Sequence, residues 1–250
     1  MKKKRRPKLQ DSFRVDSFDL QPGRVIGRKY EVTEWLGEGW EGEVYKIVER
    51  STLIERAAKL FYPQRNRRDR AAKLYARKLH KLRHCPIIIQ YHTREEIRHR
   101  KGVVTALISE YVDGERLSDF LERQPGRRLQ PFQAVHLLYA LTSGMEQVHH
   151  EREYHGDLHT DNIIVHSYGL GFDLKLLDLY EWAAPKRENI QTDILDMIRI
   201  FYDVLGGARH YPRQPRNVRD ICCGLKQSLI LKKFATTSRL KDHLESMRWD

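Results

Sequence analysis

Along the chain, apolar and polar positions first alternate regularly at Tyr30. Residues 30–36, 42–48 and 53–61 are short runs rich in β-branched and aromatic side chains. A glycine cluster and Glu49-Arg50-Ser51 separate them, so they predict three antiparallel strands. Pro63 closes the third run, and 69–82 then sets Ala72, Tyr75, Ala76, Leu79 and Leu82 at helical spacing. Residues 86–91 and 103–112 are strand-like again and would complete a five-stranded sheet carrying one helix. After Asp113-Gly114 the period changes. A short helix is predicted over 116–123, and a long one over 131–151 with Val135, Leu138, Leu141, Met145 and Val148 on one face. A small hairpin follows, 163–165 with 174–177 around a turn at 167–171. Then come a helix opened by Asp193 and closed by Gly206-Gly207, and two helices near 217–231 and 237–248. Residues 1–25 carry no period and read as a basic, disordered or loosely attached tail. The expected division is a tail over 1–25, a sheet-rich lobe over 26–112 and a helical lobe over 113–250, an α+β chain.

Bulk properties narrow the function. At 250 residues, 40% hydrophobic and 32% charged, the chain can bury its own core, and no apolar run approaches a membrane span. The charged start lacks the apolar stretch of a secretory leader, so the expected location is cytoplasmic. Cys85, Cys222 and Cys223 have no metal-ligand spacing and read as free thiols. The net charge of +12 draws the chain toward anions. Much of it lies in the first eight residues and in 65–83, where nine Lys and Arg meet one acid, Asp69. Without interleaved aromatics this pattern argues against dedicated nucleic-acid binding. The plain reading of both runs is a solvated surface, and the smaller alternative is an acidic or phosphorylated partner at the basic helix 65–83, through Arg67, Arg70, Arg77 and Lys81.

Three segments carry chemistry. Gly37-Glu38-Gly39-Trp40-Glu41-Gly42-Glu43-Val44 lies between two strands, where glycines let backbone N–H groups approach phosphate oxygens. No Gly-Lys-Ser/Thr and no helix follow, which argues against P-loop and dinucleotide folds. One strand later Lys59 interrupts an apolar run. A buried lysine needs an anion, and a nucleotide phosphate supplies one. The most specific segment is Tyr154-His155-Gly156-Asp157-Leu158-His159-Thr160-Asp161-Asn162, followed by Leu176-Leu177-Asp178.

Taken in order over about 30–207, these segments resemble the protein-kinase superfamily. The resemblance implies a bilobal protein-kinase-like fold: a small antiparallel β-sheet lobe with one helix, and a mainly helical second lobe. It implies ATP and Mg2+ as cofactors and transfer of the γ-phosphoryl group to a hydroxyl. Asp157 would orient that hydroxyl, Lys59 would hold phosphates, and Asn162 and Asp178 would hold Mg2+. His159 would sit near the transferred phosphate, giving activity a pH dependence near neutrality. Leu107 to Gly114 is similar to the hinge between lobes, with backbone groups of Glu110 and Val112 on adenine and Ser109 at the back of its pocket. Leu36 and Val44 would cover the base, Ala57 would lie beside it, and Gly37, Gly39 and Gly42 would form the phosphate loop. Asp193 resembles the buried acid that braces the catalytic loop, with a simple helix N-cap as the plainer alternative.

Departures from the family pattern matter as much. The helix after Lys59 normally supplies a glutamate to pair with it, and Tyr75 holds that position. No acid lies between Asp69 and Glu95, so either Asp178 and phosphate hold Lys59 or a residue elsewhere substitutes. Gly156 replaces an arginine that senses loop phosphorylation, and Leu179-Tyr180 replaces Phe-Gly. Only residues 179–192 separate Asp178 from Asp193, short for a peptide-docking platform. The catalytic-loop wording also resembles aminoglycoside and choline kinases, whereas the first half resembles bacterial Ser/Thr kinases. A protein Ser/Thr kinase is therefore expected. The alternatives are a small-molecule or sugar hydroxyl kinase of the aminoglycoside-phosphotransferase type and a pseudokinase binding ATP as a scaffold.

Overall fold

The computed structural model describes residues 14–99, 102–169, 171–179 and 187–248. The chain divides into two compact units, 1–78 with 90–111 and 79–89 with 112–250. The first is a six-stranded sheet in the order β1-β2-β3-β4-β6-β5, made of β1 (Val25–Ile26), β2 (Tyr30–Gly39), β3 (Gly42–Glu49), β4 (Glu55–Phe61), β5 (Tyr91–His99) and β6 (Gly102–Glu110), every pair antiparallel. Helix α1 (Arg70–Lys81) follows β4, and its last turn counts with the second unit.

The register assigns each face of this sheet a task. Directly opposed residues share a face, and positions two apart along a strand share it too. Tyr45, Ile47, Ala58, Leu60, Ala106 and Ile108 form one face, fully or almost fully buried with Val32 and Ile97. Their cover is the segment expected to be a loose tail. Among the described residues of that stretch, Val15 and Phe18 are each only 1% exposed. The Phe18 ring stacks on Tyr62 at 5.3 Å and meets His99 edge-on. Val15 exchanges two hydrogen bonds with the Gln64 side chain, and the Phe18 N–H donates to Glu43 Oε1 at 2.8 Å. The tail expectation therefore fails over 14–20: Val15, Phe18 and the partly buried Leu20, without periodicity, bind a sheet face that no local pattern reveals. Residues 1–13 lie outside the described residues.

Two further expectations are corrected. The strand expected over 86–91 is an irregular buried stretch, in which Ile88 makes a single parallel bridge to Leu176. The fifth strand begins at Tyr91 and reads Tyr-His-Thr-Arg-Glu-Glu-Ile-Arg-His, so polar that only its pairing with β6 defines it. A sixth, two-residue strand, β1, was not anticipated.

The second unit carries a three-stranded sheet, β7 (Glu115–Arg116), β8 (Ile163–Tyr168) and β9 (Gly171–Leu176). With it are helices α2 (Leu117–Arg123), α3 (Pro131–His150), α4 (Arg187–Val204), α5 (Gly207–His210), α6 (Arg216–Cys222), α7 (Gln227–Lys233) and α8 (Thr237–Glu245). Its core is the apolar face of α3 with Met197, Ile198 and Phe201 of α4. Gly144 lets α3 approach Ile87, since a Cβ there would lie 2.3 Å from that side chain. The helix expected near 217–231 is two helices, broken where Cys223, Gly224 and Leu225 all take positive φ. Cys85 and Cys222 are buried and Cys223 half-buried, none in a disulfide, and burial pushes all three thiols up, Cys222 to about 12. Among the described residues no helix is long and apolar enough to cross a membrane.

Candidate active site

In the first unit the sheet register pairs Gly37 with Val44, Val44 with Lys59 and Lys59 with Leu107. Val44, Lys59 and, two residues along, Ala57 and Ser109 therefore share the face opposite the covered one. The predicted base-covering and phosphate-holding residues of this half thus lie together, with Leu36 at the β2 irregularity beside them. Glu110 closes the strand with its N–H on Gln90 O at 2.9 Å, and Val112 opens the longer of the second unit's two segments.

The three loop glycines are glycine for different reasons. Gly37 takes φ 152°, outside the range of ordinary residues. Gly42 passes so close to β4 that a Cβ would meet Leu60 O at 1.9 Å, so its smallness serves strand packing. Gly39 has nothing within 4 Å of such a Cβ and leaves open space beside its backbone. Trp40 and Glu41 form the tip, and Trp40, 63% exposed, lies under the Arg65 guanidinium at 4.0 Å.

Lys59 is held without a helix acid. Its ammonium lies 3.3 Å from Glu41 Oε2 at the hairpin tip and 4.8 Å from the centroid of the Tyr75 ring, which α1 presents where the family pattern has glutamate. A ring face attracts a cation through its quadrupole and leaves the cation's net charge intact. Glu41, one residue before Gly42, gave no sequence signal for this role. Beside it Glu43 is 1% exposed on the opposite face, where it accepts from Phe18 N–H, from the Tyr62 hydroxyl at 3.0 Å and from the Tyr45 hydroxyl in a very short bond. Burial first, and the Glu43 hydrogen bond second, push both phenols well above their usual range.

In the second unit the loop from Tyr154 to Asn162 is tied at every turn. Asp193, 0% exposed, accepts from the His155 N–H at 2.7 Å, the Gly156 N–H at 2.9 Å and His149 Nε2 at 3.0 Å. It sits in the interior of α4, six residues after the helix begins, so it does not open that helix. Its carboxylate braces the loop backbone, and the plain N-cap role is excluded. His149 Nδ1 in turn meets Thr237 Oγ1 of α8. Gly156 takes φ 85°, a conformation that costs glycine nothing. The His155 imidazole, also fully buried, donates from Nε2 to Leu177 O at 2.8 Å, so its Nδ1 is the acceptor for the Asp157 N–H at 3.3 Å.

Asn162 and Asp178 bracket this frame. The Asn162 amide nitrogen donates to Asp157 O at 2.9 Å and to Asp157 Oδ2 at 3.3 Å, which leaves its carbonyl oxygen as the atom it can offer a cation. The Leu177 N–H donates to Asn162 O at 2.9 Å. Two bonds from Leu177 therefore fix the chain next to Asp178, a half-buried carboxylate at φ 49°, a left-handed conformation that aspartate tolerates. An amide oxygen and a carboxylate suit a hard cation that keeps most of its remaining ligands from water and phosphate, as Mg2+ does. His159 is exposed and caps the turn over Thr160–Asn162, accepting from the Asp161 N–H at 3.3 Å, with Asp157 Oδ2 3.7 Å from its Nε2. Leu179 is buried, and Tyr180 lies outside the described residues. Of the basic segment 65–83, Arg65 is taken by Trp40, Lys78 is buried and Lys81 pairs with Glu153 at 2.8 Å. The free charge there is smaller than the residue count implies.

A family model described as protein kinase domain matches residues 30–188, and the chain belongs to that family. Among curated proteins it is 29% identical over 186 residues to the serine/threonine-protein kinase STK11 of Gallus gallus, covering 68% of this chain and 39% of that protein. It is 28% identical over 135 residues to the tyrosine-protein kinase SPK-1 of Girardia tigrina, covering 54% of this chain and 26% of that one. The chain thus spans well under half the length of these relatives. Among solved structures, the Mycobacterium tuberculosis PknI kinase domain shares the fold with a TM-score of 0.63 at 19% identity, over 90% of this chain and 98% of that one.

Proposed function

We propose that the chain is an ATP-dependent serine/threonine protein kinase, with Asp157 at the reacting hydroxyl, Lys59 on the nucleotide phosphates, and Asn162 and Asp178 as ligands of Mg2+. Asn162 and Asp178 would hold Mg2+, which would supply positive charge against the negative charge that develops during phosphoryl transfer. The chain's own groups position the reactants: Asp157 orients the hydroxyl and takes its proton, Lys59 fixes phosphate oxygens, and the backbone of Glu110 and Val112 recognises the adenine edge. His159 stands beside Asp157 as a second polar group near the transferred phosphate. Support comes from family membership, from relatives whose names include serine/threonine kinases, and above all from one observation. Asp193, His155 and Asn162 clamp the loop from both sides, so the exposed Asp157 carboxylate stands on a fixed backbone.

The test is incubation of the purified chain with labelled ATP, Mg2+ and a protein acceptor. Label on serine or threonine that Asp157→Ala abolishes is the expected result, and label that survives this change rejects the assigned role. Label confined to small hydroxyl compounds would replace the protein acceptor with a small one. A nucleotide-dependent rise in melting temperature without turnover would leave a scaffold.

A further inference from the structure

Residues 207–233 hold seven Lys and Arg against a single acid, Asp220, a denser imbalance than composition alone draws attention to. Four of these cations, Arg216, Arg219, Lys232 and Lys233, line an open groove of about 750 Å3 with Tyr211, Leu229 and that one acid, Asp220, so the cations outnumber it four to one. Among the described residues none of the four takes part in an ion pair. The Lys233 ammonium instead donates to the Asp220 backbone carbonyl at 2.9 Å. The groove floor is built rather than loose. The Tyr211 hydroxyl accepts from the Gly224 N–H at 3.0 Å and donates to Arg219 O at 3.3 Å, tying α6 to the left-handed turn that follows it. The positive field extends beyond the groove: desolvation, then Arg128, Arg209 and Arg213, push the neighbouring His210 imidazole down.

The lining selects among anions. Leu229 is 47% exposed on the wall, a large apolar surface set among cations. A phosphate track would use the cations but gain nothing from Leu229. Tyr211 offers no stacking platform either, because its ring already lies 5.2 Å from Tyr202 and its hydroxyl is engaged. A peptide that carries carboxylates beside a large apolar side chain uses both features.

We propose that this groove docks an acidic segment of a protein partner, with carboxylates on Arg216, Arg219 and Lys232 and an apolar side chain against Leu229. The proposal goes beyond phosphoryl transfer and stands whether or not the chain turns over ATP, because its test reads binding alone.

The probes are two fluorescein-labelled peptides, Glu-Glu-Leu and Glu-Glu-Ser each repeated four times, titrated with the full chain by fluorescence anisotropy near physiological salt. The leucine peptide should bind about tenfold tighter than the serine peptide. Joint Arg216→Glu and Lys232→Glu should weaken the leucine peptide at least about tenfold, and Leu229→Asp should remove its advantage over the serine peptide. Reversing Arg67, Arg70 and Arg77 on the other basic segment should change either affinity less than about twofold. Should the double reversal fail to fold by circular dichroism, Arg216→Gln with Lys232→Gln carries the test, with a loss of about threefold. Equal affinity for the two peptides overturns the proposal, as does a larger loss from the Arg67, Arg70 and Arg77 reversal. So does a twelve-nucleotide oligothymidylate that binds tighter than both peptides and is released by the groove reversal, since the face would then belong to nucleic acid.

Discussion

Replacing Glu41 by glutamine should tighten nucleotide binding. The Glu41 carboxylate sits 3.3 Å from the Lys59 ammonium, with the Lys59 side chain 15% and the Glu41 side chain 27% exposed. On the proposed function, phosphates must share that lysine with Glu41 and approach a like charge. A unit charge about 6 Å away, at an effective dielectric of about 40 between surface and bulk values, repels a second by about 1.4 kcal/mol. Displacing a partly exposed ion pair adds between about 0 and 1 kcal/mol. Glu41→Gln removes both costs, so the Kd for MgATP should fall about tenfold to sixtyfold. Tyr75→Leu acts in the opposite direction. It removes a ring that holds the ammonium without neutralising it, a contact of about 0.5–1 kcal/mol, so binding should weaken about twofold to fivefold. Isothermal titration of both variants with MgATP at low and high salt decides the matter, because the Glu41 effect must shrink as salt screens it. Weaker binding by Glu41→Gln would show that Glu41 orients Lys59 as a helix glutamate would, and the competition argument would be wrong.

Three other outcomes follow from the geometry. Asp193→Ala leaves two backbone N–H groups and the His149 imidazole without their buried acceptor, at a cost of about 3–5 kcal/mol, so urea unfolding should show a large drop in midpoint; an unchanged midpoint would mean that the loop is braced elsewhere. Burial first, then the Asp193 and Asp157 carboxylates, push the Asp196 carboxyl from 3.8 to about 7. The folded state therefore keeps a proton that the unfolded state loses, and stability falls as pH rises from about 4 to about 7. Asp196→Asn should flatten that slope and raise stability at pH 8 by about 1–2 kcal/mol, after a discount for the water this half-buried group still meets; equal slopes in melting curves across the window would contradict the assignment. Phe18→Ala empties a fully buried aromatic site and should cost about 3 kcal/mol, with hydrogen exchange rising in β3 and β4.

The sequence made some elements legible and hid others for physical reasons. Elements with strong periods, such as α3 and the strands around Gly37 to Lys59, were readable because their burial pattern is written into local spacing. The strand β5 was not. As an edge strand paired only with β6, it carries polar or charged side chains on most positions, while the apolar run Ile87-Ile88-Ile89 just before it packs in the other unit and mimics a strand. From sequence Asp193 reads as the start of α4, because an acid before an apolar run imitates a cap, whereas the helix begins at Arg187 and uses that acid for the loop. Within the site, the side chains that face ligands in the family pattern stood out by type and order. Of the side chains that hold them, only Asp193 did. Glu41, His149, His155 and Thr237 act through neighbours distant in sequence, and nothing in their own surroundings marks those pairings.

The covering of the sheet by residues 14–20 and the bracing of the loop by Asp193 have a practical side for anyone cutting the gene. Both stabilisers fall outside the stretch 30–188 that matches the family model, one upstream and one downstream. A fragment trimmed to the recognised borders would uncover Tyr45, Tyr62 and the Glu43 carboxylate at one end and strip the aspartate from under His155 at the other. It should come out of cells as aggregate, even though every residue expected to touch nucleotide is still in it.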